Sequence, residues 1–248
     1  MSIILKASHI DKNYRKEPVI RDISLEVARG ETLAIIGHSG VGKTTLFNIL
    51  SGLDLPDRGK VVYRDQEITG KSGFIGYMQQ KDLLLEHKTL MKNLIFPLKI
   101  KGFSREEAET LVSDCLEEFG LAGCGTLYPQ QMSGGMRQRA ALLRTFLYSR
   151  ELLLLDEPFS ALDEITRSGL HRWYRKIADT YQTSSILITH SIDEALILAD
   201  RICIMKGKPG EIREVLPIDR QNLSAEEFQL NKIFLEYKKS IINSLKKD

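Results

Sequence analysis

The residues Gly37-His38-Ser39-Gly40-Val41-Gly42-Lys43-Thr44 fit the spacing G-x-x-x-x-G-K-[ST], a pattern that wraps phosphate in backbone N–H groups. Close backbone approach is the demand, since side chains at Gly37, Gly40 and Gly42 would obstruct the turn. A helix starting here adds partial positive charge at its N-terminus. Lys43 supplies a mobile full charge for terminal phosphates, and the Thr44 hydroxyl is the expected Mg2+ ligand. A second set of chemical groups stands at Leu152-Leu153-Leu154-Leu155-Asp156-Glu157-Pro158, where two acids follow a purely apolar run. Asp156 is expected to hold Mg2+ or its water. Glu157, adjacent and aimed elsewhere, is placed to take a proton from an attacking water. The chemistry implied is hydrolysis of a nucleotide phosphate.

These groups need particular elements to position them. The apolar residues 32–36 read as a buried strand running into the glycine loop, and 45–51 as a helix that stops at Gly52. The apolar run 152–155 reads as a buried parallel strand, whose C-terminal end is where ligands gather in such sheets. Further strands are expected at 60–63, 73–78 and 185–188, with short β pieces over 3–35 and a helix over about 165–181. From 89 to 149 the pattern is mostly helical; Ser104-Arg105-Glu106-Glu107 reads as a capping box, with Leu111, Cys115, Leu116 and Phe119 on one face. Strand and helix alternating around a glycine loop argue a parallel α/β core with a helical insertion. In the tail, Ser224 and Glu227 form a second capping box, and Ile233, Tyr237, Ile241 and Leu245 share a helical face. That face is expected to pack on the body, with Lys238, Lys239, Lys246 and Lys247 solvated, a partner contact or membrane-surface role being the alternative.

Composition sets the limits. The chain has 248 residues, 42% of them hydrophobic, enough for a sizeable core. Thirty-five Lys plus Arg against 33 Asp plus Glu leave a charge of +2, too balanced for coating nucleic acid. No run approaches the roughly 20 apolar residues of a membrane-spanning helix, and the N-terminus carries no secretory pattern, so a cytosolic location is expected. Cys115, Cys124 and Cys203 form no C-x-x-C pair and read as structural thiols.

A third motif narrows the class. Met132-Ser133-Gly134-Gly135-Met136-Arg137-Gln138-Arg139 resembles the signature of ATP-binding cassette (ABC) ATPases, usually Leu-Ser-Gly-Gly-Gln. The resemblance covers about residues 3–215. It implies the P-loop NTPase fold: a RecA-like α/β core, an antiparallel β subdomain and a helical signature subdomain at about 88–150. The cassette is expected over 1–215, followed by a helical extension over 216–248. What it implies for the site is ATP held by Gly37, His38, Ser39, Gly40, Val41, Gly42, Lys43, Thr44 and Thr45, with Tyr14 matching the aromatic that stacks on adenine. Gln80 matches the glutamine joining Mg2+ and the attacking water to the transporter contact; spacing to His87 and Asn93 favours it over Gln79. Ser160-Ala161-Leu162-Asp163 matches the loop that places Asp163 at a dimer seam, and His190 the histidine that contacts the γ-phosphate. Together, Lys43, Gln80, Glu157 and His190 would carry catalysis, and Thr44, Gln80 and Asp156 would ligate Mg2+.

In that family Ser133, Gly134 and Gly135 complete the ATP site of the opposite subunit, so a head-to-tail homodimer is implied. Membrane permease subunits, and through them an extracytoplasmic solute-binding protein, are the implied partners, on the cytoplasmic face of the membrane. Residues 81–85, Met136 and the run from Ala199-Asp200-Arg201 into Lys208-Pro209-Gly210-Glu211-Ile212 resemble the importer branch for nitrate, sulfonates, taurine and thiamine pyrimidine precursors. Met136 in place of the signature glutamine and Glu86 in place of a frequent proline are the departures. An exporter subunit and a soluble non-transport cassette are the alternatives; a plain phosphate-loop kinase leaves Ser133 to Met136 and His190 unexplained.

Overall fold

The computed structural model describes residues 2–160, 162–221 and 223–246. Two long strands open the chain, β1 (Ile3–Tyr14) and β2 (Glu17–Ala28), and pair as an antiparallel hairpin with several register shifts. With β4 (Arg58–Tyr63) and β5 (Gln66–Glu67) they make a sheet of order β2-β1-β4-β5. A second sheet carries β3 (Thr32–Gly37), β6 (Gly76–Met78), β7 (Leu152–Asp156), β8 (Ser184–Ile188), β9 (Arg201–Lys206) and β10 (Glu211–Pro217), in the order β10-β9-β3-β8-β7-β6. All its pairings are parallel except β10 with β9.

The leucine run shows why this sheet sits in the middle of the molecule. Successive strand side chains point to opposite faces, and both faces here are covered. Leu153 and Leu155 join one core with Ala34, Ile36, Leu187 and Ile204, while Leu152 and Leu154 join another with Leu33, Ile35, Ile186 and Met205. The first core is roofed by α2 (Leu90–Ile100), α3 (Arg105–Leu116), α4 (Gly134–Tyr148), α5 (Glu164–Tyr181) and α6 (Ile192–Leu198). The second is closed by α1 (Lys43–Leu50) and the antiparallel sheet. A strand buried on both faces cannot alternate polar and apolar residues, hence the unbroken leucines.

Several sequence expectations are corrected in extent. The helix after the glycine loop starts at Lys43, with Gly42 at its N-cap in the left-handed region at φ 103°. Strand pairing near 73–78 is confined to Gly76–Met78, and Gly73 turns at φ +101°. The helical stretch 89–149 is three helices; residues 117–133 hold turns and a 3-10 segment, Pro129–Gln131. The signature helix begins at Gly134, directly after Ser133.

The tail is two helices, α7 (Ala225–Leu230) and α8 (Lys232–Lys246), because Asn231 adopts an extended backbone at ψ 148° and its side chain accepts from the Ile233 N–H at 3.0 Å. Both capping boxes, Ser104 with Glu107 and Ser224 with Glu227, are formed. Ile241 is buried and Ile233, Tyr237 and Leu245 pack on the large core, joined by Phe234, which stacks edge-on to Phe228 at 5.3 Å. Of the tail lysines, Lys238 pairs with Asp193 at 2.7 Å and Lys239 and Lys246 are exposed; Lys247 lies outside the described residues. Cys115 and Cys203 are buried and unpaired, and burial pushes the Cys203 thiol up to about 12, which suits an inert packing residue. Among the described residues, no helix is long and apolar enough to cross a membrane.

Candidate functional site

Four parallel strands bring the chemistry to one edge. The register pairs Ile35 and Asp156 each with Ile188, and Met78 with Leu155, so β3, β8, β7 and β6 end level. The loops leaving those ends carry Lys43 and Thr44, His190, Asp156 and Glu157, and Gln80 respectively. They surround one cleft of about 530 Å3, lined also by Gly37, Ser39, Gly40, Gly42, Thr45 and Ile188. Neighbouring parallel strands thus gather residues distant in sequence without any long side chain having to reach.

The glycine loop is shaped by its neighbours. A Cβ on Gly37 would lie 2.3 Å from the Met205 carbonyl oxygen, and one on Gly42 would lie 2.4 Å from the Ile20 side chain. Gly40, at φ +78°, faces open space, as a cradle for a ligand requires. Lys43 Nζ donates to the carbonyls of Gly37 at 2.8 Å and His38 at 3.0 Å. Burial lowers the Lys43 ammonium, opposed by the charges of Glu157 and Asp156.

Beside the loop, the Thr44 hydroxyl stands 3.5 Å from Asp156 Oδ2. Burial raises the Asp156 carboxyl, the Glu157 charge raises it further, and Thr44 and Lys43 only partly offset this. Glu157 sits on a left-handed backbone at φ 49°, rare for a residue with a long side chain. That turn is pinned by its N–H donating to the Ile188 carbonyl at 2.9 Å and by Ser160 Oγ donating to its own carbonyl at 3.0 Å. It swings the carboxylate away from Asp156, so that Glu157 Oε2 accepts from Gln80 Nε2 at 3.1 Å and lies 3.3 Å from His190 Nδ1. His190 is exposed and free to meet a ligand.

Other expected site residues stand outside this cleft. Ser133 caps α4, its Oγ accepting from the Met136 N–H at 3.3 Å, so the loss of the signature glutamine leaves the cap intact. Gly134 and Gly135 face Leu162 and Thr166. Asp163 caps α5, accepting from the Thr166 N–H at 3.0 Å; the Thr166 side chain and backbone hold its carboxyl below the ordinary value. Ala161, in the same loop, lies outside the described residues. Val41 is buried under the loop, and the exposed His38 places Nε2 3.3 Å from the Leu245 carbonyl at the end of α8. Tyr14 is half exposed at the tip of β1, its hydroxyl donating to Asp54.

Some functional neighbours were not legible in the sequence. Gly210, in the β9–β10 turn, packs on the loop so closely that a Cβ there would lie 1.9 Å from the Val41 carbonyl oxygen. It also accepts from the Arg21 N–H at 3.0 Å and donates to the Val19 carbonyl at 2.8 Å. Read locally, Pro209-Gly210 is a turn dipeptide, and its part in the importer-branch resemblance does not say that it packs on the phosphate loop. The segment after Gln80 is gripped from α4: Arg137 bonds Asp82 at 2.7 Å and Arg144 donates to the Leu83 and Asp82 carbonyls at 2.7 and 2.6 Å. Asn93 closes the same loop, accepting from the Leu85 N–H at 2.7 Å.

The donor set fits a nucleotide with Mg2+. A hydroxyl, a carboxylate and an amide are hard oxygen ligands, too few to enclose a cation alone, and Mg2+ prefers such partial sets completed by phosphate oxygens and water. Among the described residues no cluster of three or more His, Cys, Asp or Glu could hold a metal unaided.

Comparison with known proteins agrees with this geometry. The family model described as ABC transporter matches residues 20–160. An uncharacterised ABC transporter ATP-binding protein of Methanocaldococcus jannaschii is 38% identical, over 99% of this chain and 92% of its own length. The formylaminopyrimidine import ATP-binding protein of Halalkalibacterium halodurans is 44% identical over 77% of this chain and 75% of its own, and a sulfate/thiosulfate import ATP-binding protein of Mesorhizobium japonicum 38% identical over 85% and 62%. Among solved structures, the dimeric ATP-binding cassette MJ0796 bound to ADP and phosphate superposes with a TM-score of 0.75 at 27% identity, covering 87% of this chain and 99% of that one. With its phosphate loop and acidic strand aligned on one sheet edge, the chain belongs to the ABC transporter ATPases and is an ATP-hydrolysing cassette subunit.

Proposed function

We propose that this subunit drives import of a small solute, working as a homodimer on the cytoplasmic face of a membrane permease supplied by an extracytoplasmic binding protein. The observation that carries the catalytic part is Glu157 turned out of line with Asp156 and bonded to Gln80 beside His190. In this reading, residues 37–45 hold the triphosphate through backbone N–H groups and Lys43. Thr44, Asp156 and Gln80 would hold Mg2+, which when bound neutralises phosphate charge. Gln80 orients water, Glu157 accepts its proton, and His190 steadies the γ-phosphate. Positioning and charge neutralisation then do most of the catalysis.

The dimer is supported by Ser133, Gly134 and Gly135 standing outside the cleft of their own subunit, together with the dimeric state of MJ0796. For the permease, support comes from an apolar groove of about 490 Å3 lined by Leu53, Tyr77, Leu83, Phe96, Ile100 and Tyr148. Leu83 follows Gln80 closely, so an object seated in the groove touches the same segment that reaches the catalytic water. Import rather than export is favoured by the relatives, which are named for formylaminopyrimidine and for sulfate or thiosulfate import. The substrate class we assign is that of the nitrate, sulfonate, taurine and thiamine-precursor importers, with the pyrimidine relative pointing to the last.

Glu157→Gln provides the test. The variant should form an ATP-dependent dimer by light scattering while turnover falls by at least about a hundredfold, the usual scale of a lost general base. Undiminished ATPase activity would remove Glu157 from the role of base.

A further inference from the structure

Tyr14 ends β1, and a ring so placed has little of its own to hold it, being 43% exposed. Two groups nevertheless fix it. Its hydroxyl donates to one oxygen of Asp54, whose other oxygen accepts from Lys12 Nζ at 2.6 Å. Lys12, two residues before Tyr14, is only 9% exposed, and its ammonium also donates to the Leu55 carbonyl at 2.7 Å. That ammonium stands 5.1 Å from the centre of the Tyr14 ring.

Asp54 in turn is anchored to the helix of the phosphate loop. The N–H groups of Leu53 and Asp54 donate to the Asn48 carbonyl at 2.8 and 3.0 Å, and Asn48 belongs to α1. A parallel clasp lies alongside, where the backbone and side-chain N–H groups of Asn13 donate to Asp57 at 2.6 and 2.7 Å. Burial pushes the Asp54 carboxyl up, but Lys12 and Tyr14 outweigh it and hold the group below its ordinary value. A nearly buried lysine is costly to keep and is tolerated only when paired and hydrogen-bonded. Here both conditions are met, and the pairing ties the hairpin tip to the turn that follows α1.

We propose that Lys12 and Asp54 are positioning residues that hold the Tyr14 ring at a set angle to the phosphate loop, making it a preformed platform for the aromatic base of the nucleotide. The inference rests on the reading of Tyr14 as the base-stacking residue. An unanchored ring would have to be ordered by each arriving nucleotide, and that ordering lowers affinity. The strap removes the penalty for the base and leaves phosphate binding untouched.

The test compares two probes on the full chain by calorimetry, ATP and inorganic tripolyphosphate, each with Mg2+. Tyr14→Ala is expected to raise the Kd for ATP about tenfold and leave that for tripolyphosphate unchanged. Asp54→Ala, Lys12→Met and Tyr14→Phe should each raise the ATP Kd about fivefold, again sparing tripolyphosphate. Combining Tyr14→Phe with Asp54→Ala should add nothing beyond the single changes, because both break one link. The inference is overturned if Asp54→Ala and Lys12→Met leave ATP affinity intact while Tyr14→Ala reduces it. It is equally overturned if they weaken tripolyphosphate as much as ATP, or if the double change is fully additive. Should Tyr14→Ala itself spare ATP, the base-platform reading fails and the strap with it, while unchanged tripolyphosphate binding keeps the phosphate site standing.

Discussion

Asp156 and Glu157 are adjacent acids with different fates, and the difference lies in one backbone angle. Asp156 ends β7 within the sheet, where burial and the neighbouring charge raise its carboxyl. Because its folded pKa lies above its unfolded value, the native chain holds that proton more tightly. The ionised form therefore costs stability above the folded pKa, and the cost is relieved as pH falls through it. Asp156→Asn removes the charge and keeps the shape, so the nucleotide-free variant should melt at a higher temperature at neutral pH while losing Mg2+-dependent ATPase activity. Calorimetric scans at neutral pH, and again at a pH below the ordinary aspartate value, where the gain should vanish, check the sign. Both acids were visible in the sequence next to the leucine run. The left-handed turn at Glu157 was not, since nothing about a glutamate announces φ 49°; the pinning hydrogen bond comes from β8, far along the chain.

At the scale of elements, the glycine loop is held as much by the β9–β10 turn as by its own residues. Gly210 admits no side chain against the Val41 carbonyl, and displacing that carbonyl would tilt the N–H groups meant for phosphate. Gly210→Ala should therefore destabilise the fold by about 1–3 kcal/mol, as overpacking does, and weaken tripolyphosphate binding several-fold. Gly169→Ala is the matched control: a Cβ there meets nothing within 4 Å, and within α5 the change should be neutral or stabilising by up to about 1 kcal/mol. Urea unfolding of the two variants distinguishes a crowding effect from a general intolerance of alanine. Element types were readable wherever a period was strong, as in α5 or β7. The split of the tail at Asn231 and the short β6 were not, because both are decided by what the segments pack against.

For the whole molecule, two surfaces imply partners. Ser133 lies apart from the cleft holding Lys43, so one subunit supplies the loop and another the signature in the reading given above. Mixing Lys43→Ala with Ser133→Arg protomers leaves one composite site intact in the heterodimer. The isolated heterodimer should bind ATP at about half the wild-type stoichiometry, one site of two, whereas either variant alone binds poorly. The apolar groove gives the second case: Ile100, 67% exposed on its rim, becomes Ile100→Glu. Basal ATPase activity of the isolated subunit should be unchanged and recovery with detergent-solubilised membrane partners lost.

What the sequence determined by itself is the local chemistry: a loop that binds phosphate, a strand ending in acids and a capped signature helix. Each rests on contiguous residues whose spacing alone imposes the geometry, and the same spacing identifies the family. Tertiary structure alone decided which of these groups meet. Level parallel strands bring Gln80, Glu157 and His190 together, Gly210 closes on the loop, and Lys12 and Asp54 reach Tyr14. Such contacts join residues far apart in the chain and depend on register and backbone angle, quantities that a string of residue types does not encode locally.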